Sequence, residues 1–100
     1  MTEKKFHQAM IDLYEITKKE CGYNAVRFLQ KVGTEGGLAA AKQFISKPGG
    51  TDGFRRLWEC DRLDLSIEAY VLKPEYRELF TDEERALCRE RLEQYGYHFV

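Results

Sequence analysis

One hundred residues, 43% of them hydrophobic and 33% charged, suit one globular domain and exclude a disordered chain. No apolar run approaches the ~20 residues of a membrane span, and the start Met1-Thr2-Glu3-Lys4-Lys5 leads into an amphipathic stretch rather than a signal-peptide core, so we read a cytoplasmic protein without membrane attachment. The net charge of −1 divides into eight Lys/Arg against five Asp/Glu over residues 1–50 and eight against twelve over 51–100, short of the basic face of a dedicated nucleic-acid binder.

Apolar residues recur at helical spacing along nearly the whole chain. Phe6, Met10, Leu13, Thr17 and Cys21 fall on one stripe and predict a first helix that stops at Gly22. Asn24 is placed to cap a second helix carrying Ala25, Phe28, Leu29 and Val32, closed by Gly33. A third follows Gly36-Gly37, turns Leu38, Ala41, Phe44 and Ile45 inward, and ends before Pro48. The glycine pair reads as a tight turn that lets two helices pack closely.

The breaker-rich run from Lys47 to Gly53 is a loop. Thr51 or Asp52 then caps a short fourth helix presenting Phe54, Leu57 and Trp58 as one apolar face with its arginines solvated. A fifth helix, Leu63 to Leu72, takes Asp64 as its cap, although Leu63–Ile67 is also the one strand-like run. Pro74 suits the first position of a short sixth helix. Thr81-Asp82-Glu83-Glu84 is a capping box opening a last helix that runs through Cys88, Leu92 and Tyr95 to Gly96. The expected fold is all-α: a compact single domain over residues 1–100, with six or seven short helices in irregular, near-orthogonal packing.

The runs Gly36-Gly37-Leu38-Ala39-Ala40-Ala41-Lys42, Gly53-Phe54 with Leu57-Trp58-Glu59, and Arg62-Leu63-Asp64-Leu65-Ser66-Ile67-Glu68 occur together with Leu79-Phe80, Glu83-Glu84 and Tyr95-Gly96-Tyr97. In these the chain resembles a family of small bacterial helical proteins of unknown function. The resemblance implies a single intracellular module and carries over no activity, ligand or site residue.

Catalytic chemistry finds little footing. Cys21, Cys60 and Cys88 are odd in number and lack the close pairing of metal ligands, so reduced, mostly buried thiols are expected. His7 and His98 lie near opposite ends of the chain and are expected on the surface. No glycine pattern matches a phosphate cradle. Asp61, Asp64 and Glu68 offer three carboxylates, but Arg62, Arg55, Arg56 and Lys73 stand close enough to pair with them. We therefore expect no catalytic residue, no metal and no cofactor.

Binding is the stronger expectation. Trp and Arg are the side chains enriched in interface hot spots, which makes Arg55, Arg56 and Trp58 the first candidates, with Arg62 and Glu68 as rim partners. The partner would be another protein or a second copy of the chain. The alternative is weakly specific DNA binding by a helix-turn-helix-like pair over residues 24–47, with Arg27, Lys31, Lys42 and Lys47 as the basic set.

Overall fold

The computed structural model describes residues 2–47 and 52–97. Their core is built on one long helix and closed by shorter ones. Helix α1 (Thr2–Cys21) is followed by α2 (Val26–Glu35), α3 (Gly37–Ile45), α4 (Asp52–Glu59), α5 (Ile67–Val71) and α6 (Asp82–Gln94). Two 3-10 segments, Leu63–Leu65 and Pro74–Leu79, flank α5, and no strand occurs among the described residues. The expected all-α domain is therefore what forms, within extents of 32 × 29 × 23 Å. One element departs from the expectation of short helices: α1 runs 20 residues.

The α1 stripe buries Phe6, Met10, Leu13 and Thr17 as its spacing predicts. Phe6 is sealed edge-on between the rings of Tyr76 and Phe80, at 5.0 and 5.3 Å, a geometry that aromatic quadrupoles favour. Helix α3 packs against α1, α2, α5 and α6 and is the central element. Small residues permit this: Gly37, Ala40 and Ala41 are buried along with Ile45. A Cβ on Gly37 would lie 2.6 Å from His7 Cα, so the two helices meet almost backbone to backbone. The Gly37 N–H, an orphan donor at the α3 N-terminus, is accepted by His7 Nδ1 at 2.8 Å. His7 is thus a half-buried interhelical acceptor, while His98 lies outside the described residues.

Helix boundaries follow local hydrogen bonding. Gly22 is left-handed at φ 67° directly after α1. Asn24 does not cap α2; its side-chain oxygen accepts the Tyr14 hydroxyl instead, and Ala25 stands at the cap position. Gly33 is passed over, and α2 continues to Glu35 before Gly36 turns the chain at φ 91°. The expected Leu63–Leu72 helix splits in two because Ser66 intervenes. Its backbone is extended and its hydroxyl accepts the Ala69 N–H, making it, and not Asp64, the cap of α5. Thr81 and Glu84 form the full capping box. Of the expected α4 caps, Thr51 and the Asp52 side chain lie outside the described residues, as does most of the expected Lys47–Gly53 loop.

Arg91 holds three elements together. It is 5% exposed, and its Nη1 donates to Glu68 Oε2 at 2.9 Å and to the Ile45 carbonyl at 3.1 Å. Its Nη2 donates to the Lys47 carbonyl at 2.8 Å. One guanidinium therefore closes the carbonyl end of α3, where a cation is favoured, and neutralises a carboxylate on α5. Burial pushes the Glu68 carboxyl above the usual range, and Arg91 offsets part of that penalty.

Candidate functional site

Helix α4 is strongly amphipathic, with Phe54 and Leu57 buried and Arg55, Arg56 and Trp58 exposed. Trp58 is 48% exposed rather than part of the buried face. Helical geometry explains the difference: Phe54 and Leu57 point at the core, and Trp58, 100° further round, reaches only its edge. There its ring meets Tyr95 edge-on at 5.5 Å, and Tyr95 in turn meets Phe54 at 4.9 Å. The tryptophan is thus braced by the residue that follows α6 while about half of its surface stays exposed.

Arg55 and Arg56 are both exposed on α4, and neither forms an ion pair among the described residues. Arg56 lies over the Tyr23 ring at 5.0 Å, a cation–π contact that fixes the guanidinium while leaving its N–H groups available. Tyr23 also lines a cleft of about 580 Å³, walled by Tyr14, Phe28, Phe44 and Phe54 and bordered by Arg27 and Lys47. The face of α4 and this cleft therefore share one tyrosine.

The expected rim residues go elsewhere. Arg62 is bound by Asp64 at 3.1 Å and by Glu20 at 2.9 Å; these contacts raise its already high pKa, Asp64 contributing most. Glu68 is 3% exposed and belongs to the Arg91 pair, which corrects its assignment to the surface. The three acids of the central motif separate accordingly. Asp64 serves Arg62, Glu68 is internal, and Asp61 occupies a left-handed turn at φ 60°. That turn ends α4 in a Schellman motif, with the Arg62 N–H on the Leu57 carbonyl and the Asp61 N–H on that of Trp58.

The basic set of the DNA alternative is divided between structural and free positions. Lys31 pairs with Glu35 at 3.1 Å and Lys42 with Glu84 at 2.9 Å. Burial works against the Glu84 charge, but Lys42 and the Thr81 N–H outweigh it and hold the carboxyl below its ordinary value. Lys47 sits over the Phe44 ring at 5.5 Å, and Arg27 is exposed at the cleft border. The would-be recognition helix α3 packs against four other helices and leaves Ala39 and Gln43 exposed.

The cysteines overturn the expectation of three free thiols. Cys21 and Cys60 are disulfide-bonded, with Cα atoms 6.0 Å apart, joining the end of α1 to the residue after α4. A 39-residue separation hid this pairing, because spacing along the chain says nothing about ends that meet in space. Cys88 is the free thiol, fully buried, and burial together with the nearby Glu68 charge pushes it up to about 12.

Among the described residues no helix is long and apolar enough to cross a membrane. Comparison with protein-family models, with curated proteins and with solved structures finds no match to this chain.

Proposed function

We propose that the protein is a small interaction module that binds another protein through the exposed face of α4, with no chemistry of its own. The observation that carries this reading is Trp58, half-exposed and braced by Tyr95 beside two arginines without carboxylate partners among the described residues. A braced aromatic loses little conformational freedom on binding, and desolvated tryptophan and arginine are the usual anchors of an interface. Arg55 and Arg56 suit a partner that presents acidic side chains around an apolar one. The cleft beside Tyr23, bordered by Arg27 and Lys47, extends the same basic character. Arg62 and Glu68 leave the binding set: Arg62 is taken up by Glu20 and Asp64 at the surface, and Glu68 is buried against Arg91. A cytoplasmic location and a bacterial source remain part of this reading only through the sequence.

DNA binding is the second reading, and the cations without carboxylate partners among the described residues favour it: Arg27, Lys47, Arg55 and Arg56. The two readings differ in salt dependence, since neutralising phosphates makes affinity fall steeply with ionic strength, and in whether Trp58 matters.

The test is affinity capture from source-cell lysate with tagged wild type, Trp58→Ala, Arg55→Glu/Arg56→Glu and the matched control Lys4→Glu/Lys5→Glu, each with and without nuclease. A stoichiometric protein that survives nuclease, is retained by the control and is lost with both α4 variants supports the proposal. Capture that vanishes with nuclease moves the assignment to nucleic acid. Equal capture by all four baits removes α4 from the account.

A further inference from the structure

Two links of different chemistry bridge the same pair of chain segments. The Cys21–Cys60 disulfide ties the end of α1 to the turn after α4. One residue before Cys21 and two after Cys60, Glu20 and Arg62 form an ion pair at 2.9 Å. The Arg56–Tyr23 contact bridges the neighbourhood a third time. Both bonded cysteines are half-buried at the rim of the core, whereas Cys88 is fully enclosed.

We propose that Cys21–Cys60 is a reversible thiol–disulfide modification site that sets how firmly α4, and with it the Trp58–Arg56 face, is seated on α1. The bond itself stands independently of the proposed function; its consequence for partner binding rests on that reading. The co-reactant is a low-molecular-weight thiol such as glutathione. Its thiolate attacks one sulfur of the pair, the S–S bond breaks, and a mixed disulfide forms while the other cysteine leaves as a thiolate. A second glutathione thiolate then attacks the glutathione sulfur of the mixed disulfide and releases glutathione disulfide. Two electrons and two protons pass to the protein, giving two free thiols.

The architecture makes the reduced state a loosened version of the same fold. The large buried side chains Phe6, Met10, Val32, Ile45 and Leu92 lie on α1, α2, α3 and α6, and Arg91 ties α3 to α5 and α6. None of these depends on the bond. Helix α4 depends on it far more, since it packs on α1, on the Leu63–Leu65 turn and, through Phe54 and Trp58, on Tyr95. The Glu20–Arg62 pair survives reduction and keeps the two thiols close, which favours re-closure over mixed disulfides. The enclosed Cys88 thiol, pushed up to about 12 by burial, is poorly placed to exchange with either partner.

The experiment equilibrates the intact protein in glutathione buffers of graded oxidation state. Iodoacetamide trapping and mass measurement count the thiols, far-UV dichroism follows the helices, and acrylamide quenching follows Trp58, the chain's single tryptophan. The proposal expects Cys21 and Cys60 to become alkylated together, helicity to be retained, and Trp58 quenching to rise and return on re-oxidation. Glu20→Gln is expected to shift the equilibrium about twofold toward the dithiol, as removal of a half-exposed ion pair implies. A bond that resists glutathione throughout, a loss of helicity on reduction, or an unchanged Trp58 signal would each overturn the proposal. None of these readouts needs a partner. Reversible reduction as proposed, with capture identical for wild type and α4 variants, would therefore refute the proposed function alone.

Discussion

Alanine at Gly33 and at Gly37 is the same substitution in adjacent helices, and the structure requires opposite outcomes. Gly33 lies inside α2, is exposed, and a Cβ there would meet nothing within 4 Å. Removing glycine from a helix is then a gain of about 0.5–1 kcal/mol, mostly from restricting the unfolded chain. Gly37 opens α3, where the added Cβ would stand 2.6 Å from His7 Cα and 3.3 Å from His7 Cβ. The near neighbours include backbone, so α1 and α3 must move apart. Overpacking of this kind costs about 1–3 kcal/mol, and a stretched or lost Gly37 N–H to His7 bond adds about 1 kcal/mol. The propensity gain at Gly37 does not offset these losses, and the two variants should differ by at least about 2 kcal/mol. For a domain of this size that is a separation of about 8 °C or more in Tm. Thermal unfolding followed by far-UV dichroism reads it directly, with Gly33→Ala above wild type and Gly37→Ala below. Gly37→Ala at or above wild-type stability would refute the close approach on which α1–α3 packing rests.

The buried ion pair gives a second test by double-mutant cycle. Arg91→Met should cost about 3–5 kcal/mol, because it strands the Glu68 carboxylate, while Arg91→Met/Glu68→Met should recover most of that loss; additive losses in urea unfolding would contradict direct coupling. Glu84→Gln should lower stability by about 1 kcal/mol at neutral pH through the weakened capping box. Because the folded carboxyl of Glu84 lies below its unfolded value, its contribution is present above the ordinary carboxylate range and lost as pH falls through the folded value. The difference between wild type and Glu84→Gln should therefore shrink below about pH 4, and a gap that widens on acidification would contradict the assignment. In the oxidised native protein Cys88 should resist iodoacetamide at neutral pH and react only on unfolding; fast native labelling would show that it is not enclosed.

What the sequence made legible was local. The Thr81–Glu84 box, the stop at Gly22 and the α1 stripe depend on residues within a turn or two of one another. The close packing at Gly36-Gly37 was also readable, because few other needs explain a glycine pair before an apolar helix. What escaped it depended on distance. Glu68 and Arg91 are 23 residues apart and each alone resembles a solvated charge, so nothing along the chain marks them as a buried pair. Asn24 has a capping side chain, but the Tyr14 hydroxyl reaches it first. Ser66 and not Asp64 caps α5 because the backbone is extended at Ser66, whereas Asp64 lies inside the preceding 3-10 turn with its carboxylate on Arg62. Trp58 was readable as either core or surface, and only the rotation of α4 on Phe54 and Leu57 decides between them.

The most direct test of the central claim, that the α4 face meets a protein partner, is photo-crosslinking in the source cells. A benzophenone amino acid is placed at position 55, at position 59 and, as a control, at position 4. Position 4 is exposed near the start of α1, about 25 Å along that helix from the Cys21 end. The account predicts one discrete protein adduct at positions 55 and 59 and none at position 4. Adducts confined to position 4, or a complete absence at 55 and 59 in a folded protein, would contradict it.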